Sequence, residues 1–357
     1  MIAEPEVVVL AAERPIRRPW FQPERLKSLS LLLVLAGAVV LFSLVVDDYL
    51  SARFVSRLLI AISITALVAA GETLVIVTRN IDLSVGSTVG VAAYLTAELL
   101  ANHNGLPAAL AVAVAIGIGA ALGLFNGVLV AVAKVPAIIA TLGTLSIYRS
   151  LLTNHAGGKT IATGDLPAWI VDFPRSTVFT IGQYEVRTMF ALAFVIAVSL
   201  HLVLQYMRAG RHLYALGSNP EAARQTGLNA RRIQITAFTA CGALAGLAGF
   251  LYVGRFGTIN VTAGAGLELA AIAAAVVGGV SVLGGTGTVM GAFLGAVLIG
   301  LLDQSLARVP QISEFWRDAI LGALILFAVL VDVSVARRLR ERARRRGIEE
   351  AREADHG

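Results

Sequence analysis

Residues 107–132 read PAALAVAVAIGIGAALGLFNGVLVAV, with no charged side chain among them. A bilayer's hydrocarbon core, about 30 Å thick, needs roughly 20 apolar residues of helix to cross it, so this stretch predicts a transmembrane helix with length to spare. Gly119, Gly123 and Gly127 recur inside it every four residues and share one helical face. Small residues at that spacing let two helix backbones approach closely where lipid supplies no hydrophobic drive between helices. Gly287, Gly291 and Gly295 repeat the spacing at a second apolar run, 288–303, and are read as a second packing face.

The whole chain has the same character. Of its 357 residues 57% are hydrophobic, 35 glycines raise the apolar share to about two thirds, and only 15% are charged, against roughly a quarter in soluble domains. A soluble domain of this composition would lack the polar residues to cover its surface, which excludes disorder, coiled coil and most soluble enzymes. Apolar runs near 29–46, 57–78, 84–101, 107–132, 137–152, 188–207, 233–253, 267–280, 288–303 and 316–335 predict an all-α polytopic membrane protein with about ten transmembrane helices. The 137–152 and 267–280 runs are short for a full crossing and fit interrupted or re-entrant helices.

Charge sets the direction. Arg14, Arg17, Arg18, Arg25 and Lys27 precede the first run, Arg208, Arg211, Arg224, Arg231 and Arg232 fall between the sixth and seventh, and Arg337 to Arg346 follow the last. Positive residues mark cytoplasmic loops, and ten crossings put all three clusters on one side. This gives a basic cytoplasmic arm (1–28), a transmembrane domain (29–335) and a charged cytoplasmic tail (336–357), with an inside loop at 208–232. The longest outside loop, 153–187, is the expected face for an extracytoplasmic partner. The first run lacks a small-residue cleavage site, so it is read as an anchor rather than a signal peptide. Membrane-flanking arginines also account for the net charge of +6 without nucleic-acid binding.

Each glycine-rich run follows one that opens with an acid between aliphatic residues, Ile81-Asp82-Leu83 and Leu267-Glu268-Leu269. The pairing predicts a repeat in which the second to fifth spans are answered by the seventh to tenth, inverted in the membrane. Transporters built this way place their pathway at the repeat interface. Carboxylates at membrane depth normally face a polar cavity, so Asp82 and Glu268 are path or gate candidates, with Ser84, Asn126, Thr141 and Thr144 beside them. Asp82 with Ser84 also suits a helix cap, a role compatible with lining a path. Glu72 and Ser146 are further polar residues inside apolar runs, and for the threonines and serines a bond to their own helix backbone is the default.

Several chemistries are missing. Gly157-Gly158-Lys159-Thr160 lacks the first glycine of a phosphate-binding loop, Thr153 standing there, and Gly285-Thr286-Gly287 lacks the third glycine of a dinucleotide fingerprint. Cys241 is the only cysteine and the five histidines are scattered, so neither a disulfide nor a metal site is expected. No cofactor is expected on this chain.

The inside loop carries Ser218-Asn219-Pro220-Glu221-Ala222-Ala223-Arg224-Gln225-Thr226-Gly227, which reads as a short helix. Ser218 or Asn219 can cap it, Pro220 suits the first turn, Glu221 favours the positive end and Gly227 is a natural stop. Ala222 and Ala223 leave a thin profile suited to a cleft on another protein. Together with TRNIDLSVGS (78–87), GLFNGVLVAVAKVPAIIATLGTLSIYR (123–149) and GAGLELAAIAAAVVGGVSVLGGTG (264–287), this loop closely resembles the permease subunits of sugar-type ABC importers, over about residues 55–335. Arg79-Asn80, Gly157-Gly158-Lys159 and Ala223-Arg224-Gln225 look most like the autoinducer-2 branch. The resemblance implies a non-enzymatic translocation subunit in a bacterial inner membrane. Its partners would be a second permease (as homodimer or heterodimer), two cytoplasmic ATPases that use the ATP, and an extracytoplasmic sugar-binding protein. It also implies a simple sugar or sugar-like cargo and a coupling helix at 218–227. The alternative is an ion-coupled secondary transporter with inverted repeats and an ion site at Asp82 or Glu268. A membrane-embedded enzyme is disfavoured, since no catalytic pair is visible.

Overall fold

The computed structural model describes residues 23–309 and 312, 313, 316, 319, 320, 322, 323, 326 and 330, with backbone alone for 23–30. The arm before residue 23, the tail 336–357 and most of the expected tenth run lie outside the described residues. The helices are α1 (Pro23–Val45), α2 (Ala52–Val77), α3 (Val85–Asn102), α4 (Ala108–Ala131), α5 (Ala137–Ala156), α6 (Ala168–Asp172), α7 (Thr188–Tyr206), α8 (Arg208–Ser218), α9 (Pro220–Gln225), α10 (Ala230–Phe256), α11 (Leu267–Val277) and α12 (Val289–Leu306).

The first nine apolar runs each coincide with a helix. By length and apolarity α2, α4, α7, α10 and α12 are each able to cross a bilayer. The 137–152 run is longer than the sequence suggests: α5 has 20 residues and continues to Ala156, where Gly157 takes a left-handed conformation at φ +55°. At 1.5 Å per residue it covers about 30 Å. The 267–280 run is short, since α11 has 11 residues and covers about 16 Å.

The 153–187 loop departs from the all-α expectation. Strands β1 (Thr177–Ile181) and β2 (Tyr184–Arg187) pair antiparallel around Gly182-Gln183, with Gly182 at φ +60°. The alternating Thr-Val-Phe-Thr-Ile and Tyr-Glu-Val-Arg segments suit a hairpin turned by glycine. Arg187 anchors it by donating to Ser56 Oγ and pairing with Glu185 at 2.5 Å. Ile161 and Ile259 bridge this loop to the segment ahead of α11.

At the centre α2 is buried at nearly every position from Ala61 to Val77. It packs against α10, α11 and α12, while α10 also packs along α3 and α4. The α4–α10 crossing is backbone against backbone. A Cβ at Gly119 would meet Gly246 N at 2.6 Å, one at Gly123 would meet Gly242 Cα at 3.0 Å, and one at Gly127 would meet Ile235 Cα at 3.0 Å. The second glycine set behaves differently. Gly291 and Gly295 press on Gly278 and Ala274 of α11, whereas Gly287 stands before the Thr288 cap of α12, at φ +131°. It therefore belongs to a turn and shares no helical face with the other two. Cys241 of α10 meets α2 at Gly71, where a Cβ would stand 3.1 Å from its Sγ; the thiol is fully buried.

Candidate functional site

Between α2 and α3 the chain makes a tight return, 78–84, and a polar cluster forms around it. Asp82, 1% exposed, accepts from Ser84 N–H at 2.9 Å and Ser84 Oγ–H at 2.6 Å. That is an Asx turn, the aspartate accepting from the amide two residues on, and it ends where α3 begins. Asn126 of α4, also buried, donates through Nδ2 to Ser84 Oγ at 2.7 Å and lies 3.4 Å from both Asp82 oxygens. Its Oδ1 faces the Tyr148 hydroxyl at 3.3 Å. The Asp82 amide donates to Glu72 Oε2 of α2 at 3.5 Å, and Glu72, 0% exposed, has no partner for Oε1. Asp82 thus ties the return together inside a buried carboxyl, amide and hydroxyl cluster, while α3 starts at its N-cap Ser84 without a side-chain cap bond, so the helix cap read for this pair is not formed.

One face of α5 closes that cluster. Thr141, Thr144 and Tyr148 are buried while Leu142, Gly143, Ser146 and Ile147 are exposed, the stripe that a 3.6-residue period gives a helix packed on one side. Thr141 Oγ1 bonds its own helix at Ala137 O, 2.8 Å, and also reaches Ile81 O at 3.2 Å. Thr144 bonds Thr141 O at 3.3 Å. The backbone default holds for both threonines, with Thr141 adding a tie to the return.

Glu268, in the first turn of α11, comes to the same end of α3. Its Oε2 occupies the space that a Cβ on Gly86 would take, and Gly264 O lies against that glycine too. Glu268 Oε1 accepts from Gly266 N–H at 3.2 Å, and Oε2 is buried without a partner. Arg149 of α5 holds the segment ahead of α11 by donating to Val261 O at 2.8 Å and Ala263 O at 2.7 Å. A Cβ at Gly90 would meet Ala263 O and the Arg149 guanidinium. Asp82, just ahead of α3, and Glu268, of α11 and set against Gly86, therefore both approach the start of α3.

The 208–232 loop contains two helices rather than one. Helix α8 ends at Ser218, and Asn219, extended at φ −149° and ψ 96°, starts α9. Asn219 Oδ1 accepts from Glu221 N–H and Ala222 N–H, both at 3.1 Å. Gly227, at φ +81°, donates to Arg224 O, and Leu228 donates to Ala223 O, each at 3.0 Å. This pair of bonds closes a helix on a left-handed residue. Asn219 is the cap, Pro220 the first residue, and Ser218 belongs to α8. One expectation is corrected: Ala223 is 4% exposed and faces the protein, so only Ala222, Glu221, Arg224 and Gln225 are turned outward.

Sequence reasoning left Tyr148 and Arg149 without roles, and counted Glu72 only as a polar residue in an apolar run. Tyr148 had a usable signal, since 141, 144 and 148 share a helical face. Arg149 had none, because its carbonyl partners come from residues 261 and 263.

A bundle of long apolar helices, broken between α2 and α3 and ahead of α11 around buried acids, with a capped polar helix on an exposed loop, defines a membrane permease. Residues 54–329 match the family described as branched-chain amino acid transport system / permease component, and the chain belongs to it. It is a translocation subunit of an ABC importer, not an enzyme, and ATP hydrolysis lies in a separate subunit. This favours the ATP-driven reading over the ion-coupled one. Over 285 residues, 80% of this chain and 79% of the relative, it is 40% identical to the autoinducer 2 import system permease protein LsrC of Salmonella typhimurium. The same identity, over 80% of each chain, holds for the LsrC of Escherichia coli. The resemblance to sugar-type permeases, and within them to the autoinducer-2 branch, stands. No solved structure matches the chain.

Proposed function

We propose that this permease imports autoinducer 2 or a closely related sugar-like molecule. The observation that carries this reading is the 40% identity to autoinducer-2 import permeases over four fifths of both chains. In this reading the protein sits in a bacterial inner membrane with both termini in the cytoplasm. It pairs with a second permease, two ATPases on the side of α8 and α9, and a binding protein against the 153–187 loop. ATP is used by the partner alone. Asp82, Ser84, Asn126, Thr141, Thr144 and Glu268 line or gate the path, and alternate exposure of that path to the two sides moves the cargo.

The ten-crossing, inverted-repeat architecture belongs to the same proposal, with the transmembrane domain at 29–335. Its support is that exchanging α2, α3 and α4 for α10, α11 and α12 carries neighbours onto neighbours: α10 packs on α4 and α3 as α2 packs on α12 and α11.

The test is uptake into vesicles containing the permease, its ATPase and its binding protein, offered autoinducer 2, ribose or leucine with ATP. ATP-dependent uptake of autoinducer 2 well above the other two is expected. Preference for leucine would refute the cargo assignment, and uptake on an ion gradient without the ATPase would refute the mechanism. For the docking role, Ala222→Glu is the suited probe: the residue is exposed, and an acid in a first helical turn favours the helix. The variant is expected to fold normally, fail to co-purify with the ATPase and lose uptake.

A further inference from the structure

Among the described residues, three helices close on one backbone motif, in which the residue after the cap is left-handed and two successive amides bond back to the last turn. In α9 the left-handed residue is Gly227, and in α11 it is Gly279 at φ +91°. In α2 it is Arg79, at φ +67°, with Arg79 N–H bonded to Ile76 O at 2.9 Å and Asn80 N–H to Val75 O at 3.2 Å. A side chain there is strained where glycine would not be. The question is what it does in return.

The guanidinium of Arg79 spans two carbonyls on another helix. Its Nε donates to Gly217 O at 2.5 Å and its Nη2 to Ser218 O at 2.8 Å. These carbonyls end α8, where the helix dipole favours a cation, and the next residue is Asn219, the cap of α9. A planar fork with donors in fixed directions suits this double contact better than an ammonium would.

The surroundings are built for close approach. Gly285 N–H donates to Val77 O at 2.9 Å. A Cβ on Gly217 would strike Val77 O, one on Gly284 would strike Arg79 Cγ, and one on Gly285 would lie 2.6 Å from Ser218 Oγ. Four segments thus meet at one point: the end of α2, the end of α8, the cap of α9 and the turn ahead of α12. Three residues beyond Arg79 is Asp82, held by Ser84 and Asn126. Arg79 borders a cleft of about 680 Å³ with Glu221 and Arg224 of α9, so the contact lies at the edge of the surface that α9 presents.

We infer that Arg79 is a positioning residue for ATP-driven transport: it latches the end of α8, and with it α9, to the α2–α3 return, so that displacement of α9 reaches the Asp82 cluster. The inference rests on the reading of α9 as the ATPase-docking helix. Without the latch, α9 would still be capped by Asn219 and still dock, while the end of α8 would meet the end of α2 through the Gly217–Val77 packing and the Gly285–Val77 bond, with no side-chain tie to the return.

The experiment compares Arg79→Gly, Arg79→Gln and Arg79→Lys with wild type in the full complex in vesicles, measuring autoinducer 2 uptake and ATP hydrolysis together. Arg79→Gly removes the strain together with the two bonds, effects of opposite sign, so its melting temperature is expected to stay near wild type. Arg79→Gly and Arg79→Gln should retain the ATPase in a pull-down and hydrolyse ATP. Their uptake per ATP should fall about tenfold, the worth of one charge-assisted hydrogen bond. Arg79→Lys, which keeps the charge and one contact, should recover part of the ratio. A wild-type ratio in both Arg79→Gly and Arg79→Gln would overturn the latch and leave Arg79 as a helix end. Ala222→Glu run beside them separates the two readings: if it keeps the ATPase bound, the docking assignment fails, whatever Arg79 does.

Discussion

Gly123 and Gly117 lie on the same helix, and changing each to alanine should move stability in opposite directions. Alanine is favoured over glycine inside a helix by about 0.8–1 kcal/mol, a gain common to both variants. At Gly117 a Cβ meets nothing within 4 Å, so that gain stands alone. At Gly123 the new Cβ would strike Phe238 O and stand 3.0 Å from Gly242 Cα and 3.1 Å from Gly242 N. All three are backbone atoms of α10, so no side chain can turn aside and the helices must part. Overpacking of this kind costs about 1–3 kcal/mol, and the rigid partner argues for the upper end. The propensity gain cancels in the comparison, leaving roughly 3 kcal/mol between the variants, or about 6–12 °C in melting temperature at 2–4 °C per kcal/mol. The assay is heating of detergent-solubilised protein followed by size-exclusion chromatography of the survivors. Gly117→Ala should melt at or above wild type and Gly123→Ala well below it. Melting temperatures within about 1 °C of each other would mean that α4 and α10 do not cross at backbone contact, and the packing argument would fail.

Other consequences are as direct. Asn126→Leu should lower the melting temperature and abolish uptake, since it strips Asp82, Ser84 and Tyr148 of a shared partner and each orphaned buried group costs about 1–3 kcal/mol; Tyr148→Phe, which removes one hydroxyl, should do much less in the same melt. Gly227→Val should fray α9 by forcing a β-branched residue into the left-handed region at a cost of roughly 1–2 kcal/mol, read as faster proteolysis between residues 218 and 230 and reduced ATPase co-purification. Reporter fusions at residues 20, 215 and 345 should report cytoplasm and one at 165 the outside; a cytoplasmic signal at 165 would reverse the topology.

Much of this architecture is written locally. Runs of apolar residues give the helices, and the cap of α9 and the turn ahead of α3 follow from Asn219-Pro220-Glu221 and Asp82-Leu83-Ser84, because such signals act over three or four residues. The glycine face of α4 is legible for the same reason, as spacing on one helix. Its partner is not, since Gly242 and Gly246 of α10 are separated from it by more than a hundred residues. Spacing alone also misplaced Gly287, where the helix begins one residue after the Thr288 cap and the fourfold period no longer describes a face. The inward turn of Ala223 escaped the sequence because a six-residue helix is too short to show a period. Arg79 escaped it because a left-handed arginine looks, in a sequence, like any other loop arginine.

The crossing of α2 and α10 at Gly71 and Cys241 has a practical side. The chain's single thiol is wholly enclosed, with the backbone of another helix against its sulfur, and a buried structural thiol is chemically inert. The natural protein can therefore serve directly as the silent background for spectroscopy with attached fluorophores or nitroxides. Each introduced thiol on α9, on the 78–84 return or in the hairpin would give a signal from that place alone, with the α2–α10 crossing left as it is.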